Sequence, residues 1–113
     1  MHETAVAQSL IKTILDEAAR QKAKPVTAKI SCGVLNAIND ELVNFAFEAI
    51  AKGTACQGMK LDIEHKPIKG KCKNCGAVFE FEVFNPNCNK CGSEDFQLFP
   101  DEPLVLEEIE FRA

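Results

Sequence analysis

Two short stretches, "CKNCG" and "CNKCG", carry the chemistry that is easiest to read in this 113-residue chain. Each is C-x-x-C-G, and together they bring Cys72, Cys75, Cys88 and Cys91 into twenty residues. Two thiolates at this spacing reach one ion from a single tight turn, and the glycine that follows relieves crowding there. Two such turns facing each other complete a tetrahedral all-sulfur shell with no open position, which describes structural zinc rather than a catalytic metal. Iron is the other ion that four thiolates hold, and spacing does not separate the two. A redox role for either pair is disfavoured, because neither pair sits in a thioredoxin-like βαβ setting.

A second candidate lies at the opposite end. The chain opens "MHE", placing a free amine, an imidazole and neighbouring backbone nitrogens within reach of one ion. Chain ends collect neutral variation, so these three residues alone carry little weight. His65 is the other histidine. It continues the apolar phase of "MKLDIEH", which predicts a partly buried ring with one hydrogen-bond partner and makes metal binding the minor alternative.

Several functions are disfavoured. Seventeen acids against thirteen bases give a net charge of −4, which speaks against a general nucleic-acid binder. A local option remains, because Lys66, Lys69, Lys71 and Lys73 run beside the phenylalanines of "VFEFEVF". No stretch is long and apolar enough to span a bilayer. Glu3, Lys12, Asp16 and Glu17 interrupt any signal-peptide core, so a cytoplasmic protein is expected. No Ser/His/Asp set or phosphate loop is present, and no enzyme activity is expected.

The elements that must position these residues follow from periodicity. From Thr4 to about Ala23, Val6, Leu10, Ile11, Ile14, Leu15 and Ala18 recur at helical spacing, with Pro25 marking the end. "VTAKISC" alternates as a half-buried strand, with Val26, Ala28, Ile30 and Cys32 on one face. Cys32 there is a small buried hydrophobe. "NDELVNFAFEAIAKG" is a second helix, capped by Asn39 and stopped at Gly53. "MKLDIEH" is a strand. "LVLEEIEF" is a strand whose alternation slips at Glu107 and Glu108, the mark of a bulge or an exposed edge. "VFEFEVF" alternates Phe79, Phe81 and Val83 against glutamates, as a hairpin strand beside the metal.

The expected fold is a small two-layer α/β domain, two helices on a three-stranded mixed sheet, with an inserted four-cysteine zinc-ribbon domain. Residues 1–67 plus 103–113 form the first and 68–102 the second, with hinges at "KPIKGK" and "PDEP". About thirty-five residues cannot build a self-sufficient core, so metal is expected to hold the smaller domain folded.

With these elements placed, nearly the whole chain resembles the HypA/HybF family of hydrogenase nickel-incorporation proteins. The resemblance rests on "MHE", "GVLNAINDELVNFAFEAIAKGT", "MKLDIEHKP", and the paired C-x-x-C-G motifs ahead of a strand ending "IEF". It implies a metallochaperone that binds Ni(II) at its N-terminus. Ni(II) favours square-planar nitrogen coordination. The Met1 amine, the His2 amide and the His2 imidazole close successive small chelate rings, with the Glu3 amide or carboxylate completing the set. Asp40 is a candidate supporting group. The implied partners are a HypB-type maturation GTPase, the NiFe hydrogenase large subunit as recipient, and in some organisms the urease maturation proteins. The competing function is a zinc-ribbon interaction or nucleic-acid-binding module.

Overall fold

The computed structural model describes residues 2–112. Helix α1 (Glu3–Gln21) leads into strand β1 (Lys24–Gly33) and a 3-10 turn (Val34–Asn36). Helix α2 (Asp40–Ala51) and strand β2 (Lys60–Lys66) follow. Then come β3 (Lys69–Cys72), β4 (Val78–Glu80), β5 (Phe96–Leu98) and β6 (Val105–Arg112).

The strands form two sheets, ordered β2-β1-β6 and β4-β3-β5. In the first, β1 pairs parallel with β2 and antiparallel with β6, so the sheet is mixed, as expected. Parallel neighbours need a crossover, and α2 supplies it. The chain leaves this sheet after Lys66 and returns to it at Val105, so the second sheet is an insertion.

Both helices lie on one face of the first sheet. Ile14, Ile30, Val43 and Cys32 are fully buried between the layers, with Leu61, Ile63, Leu106 and Ile109 packed against them. The second sheet has its own small apolar cluster of Phe79, Cys72, Cys88, Ala77 and Phe96. Phe79 and Phe96 meet edge-on at 5.4 Å, and Phe81 leans on Phe96 at 5.6 Å. Those rings therefore serve the core of the small unit.

Local chemistry accounts for most element ends. The Asn39 side-chain oxygen accepts a 3.0 Å hydrogen bond from the Leu42 backbone N–H, the expected cap of α2. The end of α1 differs from expectation. The helix stops at Gln21 because Lys22 turns left-handed (φ 52°), and Pro25 lies buried as the second residue of β1. Val26 is only half-buried, since a register shift between Pro25 and Thr27 breaks the expected alternation. The stretch "VFEFEVF" also falls short of one strand. After Phe81 a tight turn closes Glu82 onto Asn85, leaving Val83 three-quarters exposed and Phe84 fully exposed.

The slip at Glu107 and Glu108 is a bulge. Lys29 pairs with Glu108 and Ile30 with Leu106, so Glu107 is the extra residue. Its carboxylate turns to the polar face, accepting from the Ser31 hydroxyl at 2.6 Å and the Lys66 ammonium at 3.3 Å. The Ser31 bond first, and Lys66 second, hold the Glu107 carboxyl below its ordinary value of 4.5. A carboxyl depressed by folding contributes stability above its unfolded value and loses it as pH falls through the folded one. Glu107→Gln should therefore lower the urea midpoint at neutral pH, and the gap from the parent should close below about pH 4.5. A gap that persists at low pH would mean that charge is not what the bulge uses.

The return segment is clamped to the end of β1. Gly33 N–H donates to the Glu102 carbonyl at 2.9 Å, and Asn36 N–H donates to Asp101 Oδ2 at 2.7 Å. A Cβ at Gly33 would stand 2.1–2.5 Å from the Asp101 carboxylate. Gly33→Ala should therefore expel Asp101 and cost about 1–3 kcal/mol, measured by chemical denaturation. Asp101→Ala in the same background should recover part of the loss.

Candidate metal centres

The four-cysteine centre is built by two turns of the same design. Strand β3 ends in Cys72, and the turn closes with Gly76 N–H donating to the Cys72 carbonyl at 3.0 Å. In the second turn Gly92 N–H donates to the Cys88 carbonyl at 2.9 Å. Gly76 and Gly92 have φ of 77° and 75°, a conformation that disfavours any side chain. Each turn also aims a backbone N–H at its first sulfur. Cys75 N–H donates to Cys72 Sγ and Lys90 N–H to Cys88 Sγ, both at 3.4 Å.

All four sulfurs lie within 4.8 Å of one another. Cys72 and Cys91 are 3.5 Å apart, and Cys75 and Cys88 are 3.6 Å apart. A tetrahedral ion with metal–sulfur bonds of about 2.3 Å separates its sulfurs by about 3.8 Å, so the residues present fit a four-thiolate ion. Among the described residues this is the one group of three or more convergent metal-ligand side chains. Zinc there would supply a fold-holding crosslink.

The electrostatics favour the same conclusion. Backbone N–H groups of Cys75 and Asn74 oppose burial and pull the Cys72 thiol down to about 6. Cys88 is lowered by the N–H groups of Cys91 and then Lys90. The N–H of Ala77 favours the Cys75 thiolate, but Cys88, burial, Cys72 and Cys91 outweigh it and push that thiol up to about 11. Four thiolates this close repel one another, and a dication removes the conflict.

At the other end, His2 is the N-cap of α1. Its carbonyl accepts from Val6 N–H at 3.0 Å, while its exposed imidazole makes no capping bond. Glu3 opens the helix, so its backbone N–H is among those with no partner inside the helix. Met1, expected to offer its amine, lies outside the described residues. His2 and Glu3 line a groove with Ala5, Gln8, Leu42 and Phe45, at the N-terminal ends of both helices.

Asp40, expected beside the N-terminus, is engaged elsewhere: its Oδ1 lies 2.7 Å from His65 Nε2. His65 is more exposed than predicted, with its side chain 32% exposed, and it has two partners instead of one, the second being Cys32 Sγ at 3.5 Å from Nδ1. Alternation on either strand does not reveal that contact. The clue available was that Cys32 and His65 are the only side chains of metal-ligand type in the apolar phase of their strands.

Comparison with known proteins decides the family. The model for "Hydrogenase/urease nickel incorporation, metallochaperone, hypA" matches residues 1–111.

The chain belongs to the HypA family.

Hydrogenase maturation factor HypA of Aquifex aeolicus is 35% identical over 100% of this chain and 99% of its own length. Hydrogenase maturation factor HybF of Escherichia coli is 32% identical over 97% and 98%. The solution structure of the Ni metallochaperone HypA from Helicobacter pylori superposes with a TM-score of 0.64 at 28% identity, covering 100% and 99%. A second HypA solution structure gives 0.70 at 28% identity, covering 100% and 98%. The family is one of hydrogenase/urease nickel-incorporation metallochaperones, and the Aquifex aeolicus and Escherichia coli relatives are hydrogenase maturation factors. No described helix is long and apolar enough to cross a membrane.

Proposed function

We propose that this chain carries Ni(II) at its N-terminus and delivers it to the large subunit of a NiFe hydrogenase in the cytoplasm, acting with a HypB-type GTPase. Where a urease is made, its maturation proteins are a second outlet. The Met1 amine, the His2 amide and imidazole, and Glu3 hold the cargo. Cys72, Cys75, Cys88 and Cys91 hold a resident zinc. The two units divide at 1–67 plus 103–113 and 68–102, each with a sheet and core of its own in support.

The observation that carries the reading is the placement of His2. It caps α1 with its carbonyl and leaves the imidazole exposed, directly before a backbone N–H without a helical partner. The positive end of the helix dipole favours the deprotonated amide that a square-planar nickel site needs. The ion competes with protons for these nitrogens, so affinity falls as pH drops. A terminal, exposed site also suits a carrier that must release its ion.

The nucleic-acid alternative loses its stacking platform, since Phe79, Phe81 and Phe96 pack on one another. Exposed Phe84 stands beside Glu82 rather than in the lysine run. Nickel titration of the zinc-loaded protein with its natural terminus tests the proposal. One equivalent should bind near neutral pH and leave on acidification, and a chain that binds none is not a nickel carrier.

A further inference from the structure

One cluster of reactive side chains lies apart from the four-cysteine centre and includes none of the residues proposed to ligate nickel. Cys32 and His65 are register partners on the parallel strands β1 and β2, so both side chains leave the sheet on the same face. Asp40, the first residue of α2, caps the ring from beyond. Three elements thus bring a thiol, an imidazole and a carboxylate into line: Cys32 Sγ is 3.5 Å from His65 Nδ1, and Asp40 Oδ1 is 2.7 Å from Nε2.

The hydrogen positions follow from the chemistry. An ionised carboxylate only accepts, so in the neutral ring Nε2 carries the hydrogen and Nδ1 turns its lone pair toward Cys32. That is the arrangement of a metal-bound histidine, which almost always donates its second N–H to a carboxylate or carbonyl. The span between sulfur and nitrogen fits as well. Metal–sulfur and metal–nitrogen bonds of about 2.3 and about 2.0 Å put the two donors about 3.5 Å apart at a tetrahedral angle. A square-planar right angle would bring them to about 3.1 Å.

We propose that Cys32 and His65 form a second cation site, oriented by Asp40, for a thiophilic ion of tetrahedral preference such as Zn(II) or Co(II). The ion replaces one proton. The S–H bond of Cys32 breaks, a sulfur–metal bond forms, Nδ1 gives its lone pair to the same ion, and the proton leaves to water. The His65 tautomer and its bond to Asp40 are unchanged, so binding needs little rearrangement. Cys32 is fully buried and the His65 side chain is 32% exposed, so the ion enters along the ring. No third described side chain converges on the pair, and water fills the remaining positions. The site is therefore weaker and faster to exchange than the four-cysteine centre. Its donors, one thiolate and one imidazole, differ from the nitrogen set proposed for the N-terminal cargo site.

The experiment is a Co(II) titration of zinc-loaded protein, followed by thiolate-to-cobalt charge-transfer absorption, with zinc release monitored by a chelating dye. One equivalent of Co(II) should bind through a thiolate without releasing zinc. Cys32→Ala and His65→Gln should each abolish the absorption, and Asp40→Asn should weaken binding about 10–100-fold. His2→Ala should leave it unchanged, so the result does not depend on the nickel proposal. Circular dichroism checks each fold. If the buried Cys32→Ala variant does not fold, the partly exposed His65→Gln variant decides. Absence of the absorption, its persistence in folded His65→Gln, or its appearance only with zinc release would each overturn the proposal and leave the contact a plain S–H···N hydrogen bond.

Discussion

Cys72→Ser is expected to release most of the zinc and to unfold residues 68–102, while the α/β unit stays intact. The small unit has few apolar side chains to sustain it: Phe79 and Phe96, with Ala77 and Phe81 at the margin. Such a cluster cannot offset the ordering of about thirty-five residues, at about 1–2 kcal/mol of backbone entropy each. Structural zinc in small fingers contributes about 10–16 kcal/mol, enough to decide whether the unit folds. Removing one thiolate opens the shell and leaves three sulfurs that repel when ionised. Metal analysis should fall from one zinc per chain to a small fraction. Amide resonances of residues 68–102 should collapse toward random-coil positions, while those of α1, α2 and the first sheet hold. Chelator treatment of the parent should reproduce the pattern. A variant that keeps its zinc, or a zinc-free chain with the β4-β3-β5 sheet intact, would show that the four sulfurs are packing groups.

Adding two residues ahead of Met1 is expected to weaken nickel binding by orders of magnitude without altering the fold. The extension leaves every side chain in place and converts one amine into an amide, so it interrogates a single nitrogen donor. His2→Ala removes the imidazole and should be equally damaging. Neither change should reduce stability appreciably, because the exposed His2 ring makes no capping hydrogen bond. His65→Ala is the opposite case: it strips the partners of Asp40 and Cys32 and should lower the denaturation midpoint while nickel binding persists. Calorimetric nickel titration and hydrogenase maturation in a strain lacking the native gene give the two readouts. Undiminished nickel affinity in the extended chain would remove the amine from the ligand set and redirect the search to side chains. Binding lost in His65→Ala but kept in His2→Ala would relocate the cargo.

Much of this protein was legible in the residues themselves, where the deciding interactions are short in sequence. A C-x-x-C-G turn closes within five residues, so both halves of the four-cysteine centre announce themselves, and the glycines do adopt positive φ. Asn39 caps α2 three residues away. The slip at Glu107 and Glu108 could be read as a bulge because alternation is a local property of one strand, although what Glu107 binds could not. Pro25 misled because a left-handed Lys22 had already ended α1, and the local pattern does not weigh one terminator against another.

Tertiary structure decided whatever joins distant segments. Strand order β2-β1-β6 depends on which edges meet once the helices cover the sheet, and no single strand encodes it. Nothing near Gly33 in sequence shows that Asp101, 68 residues on, occupies the space a Cβ there would need. Cys32, Asp40 and His65 lie up to 33 residues apart, and only the parallel register of β1 on β2, with α2 as the crossover, brings them into one line. Periodicity told which face each side chain takes. Which partner waits on that face is set by packing, because burial selects the neighbour and sequence separation does not.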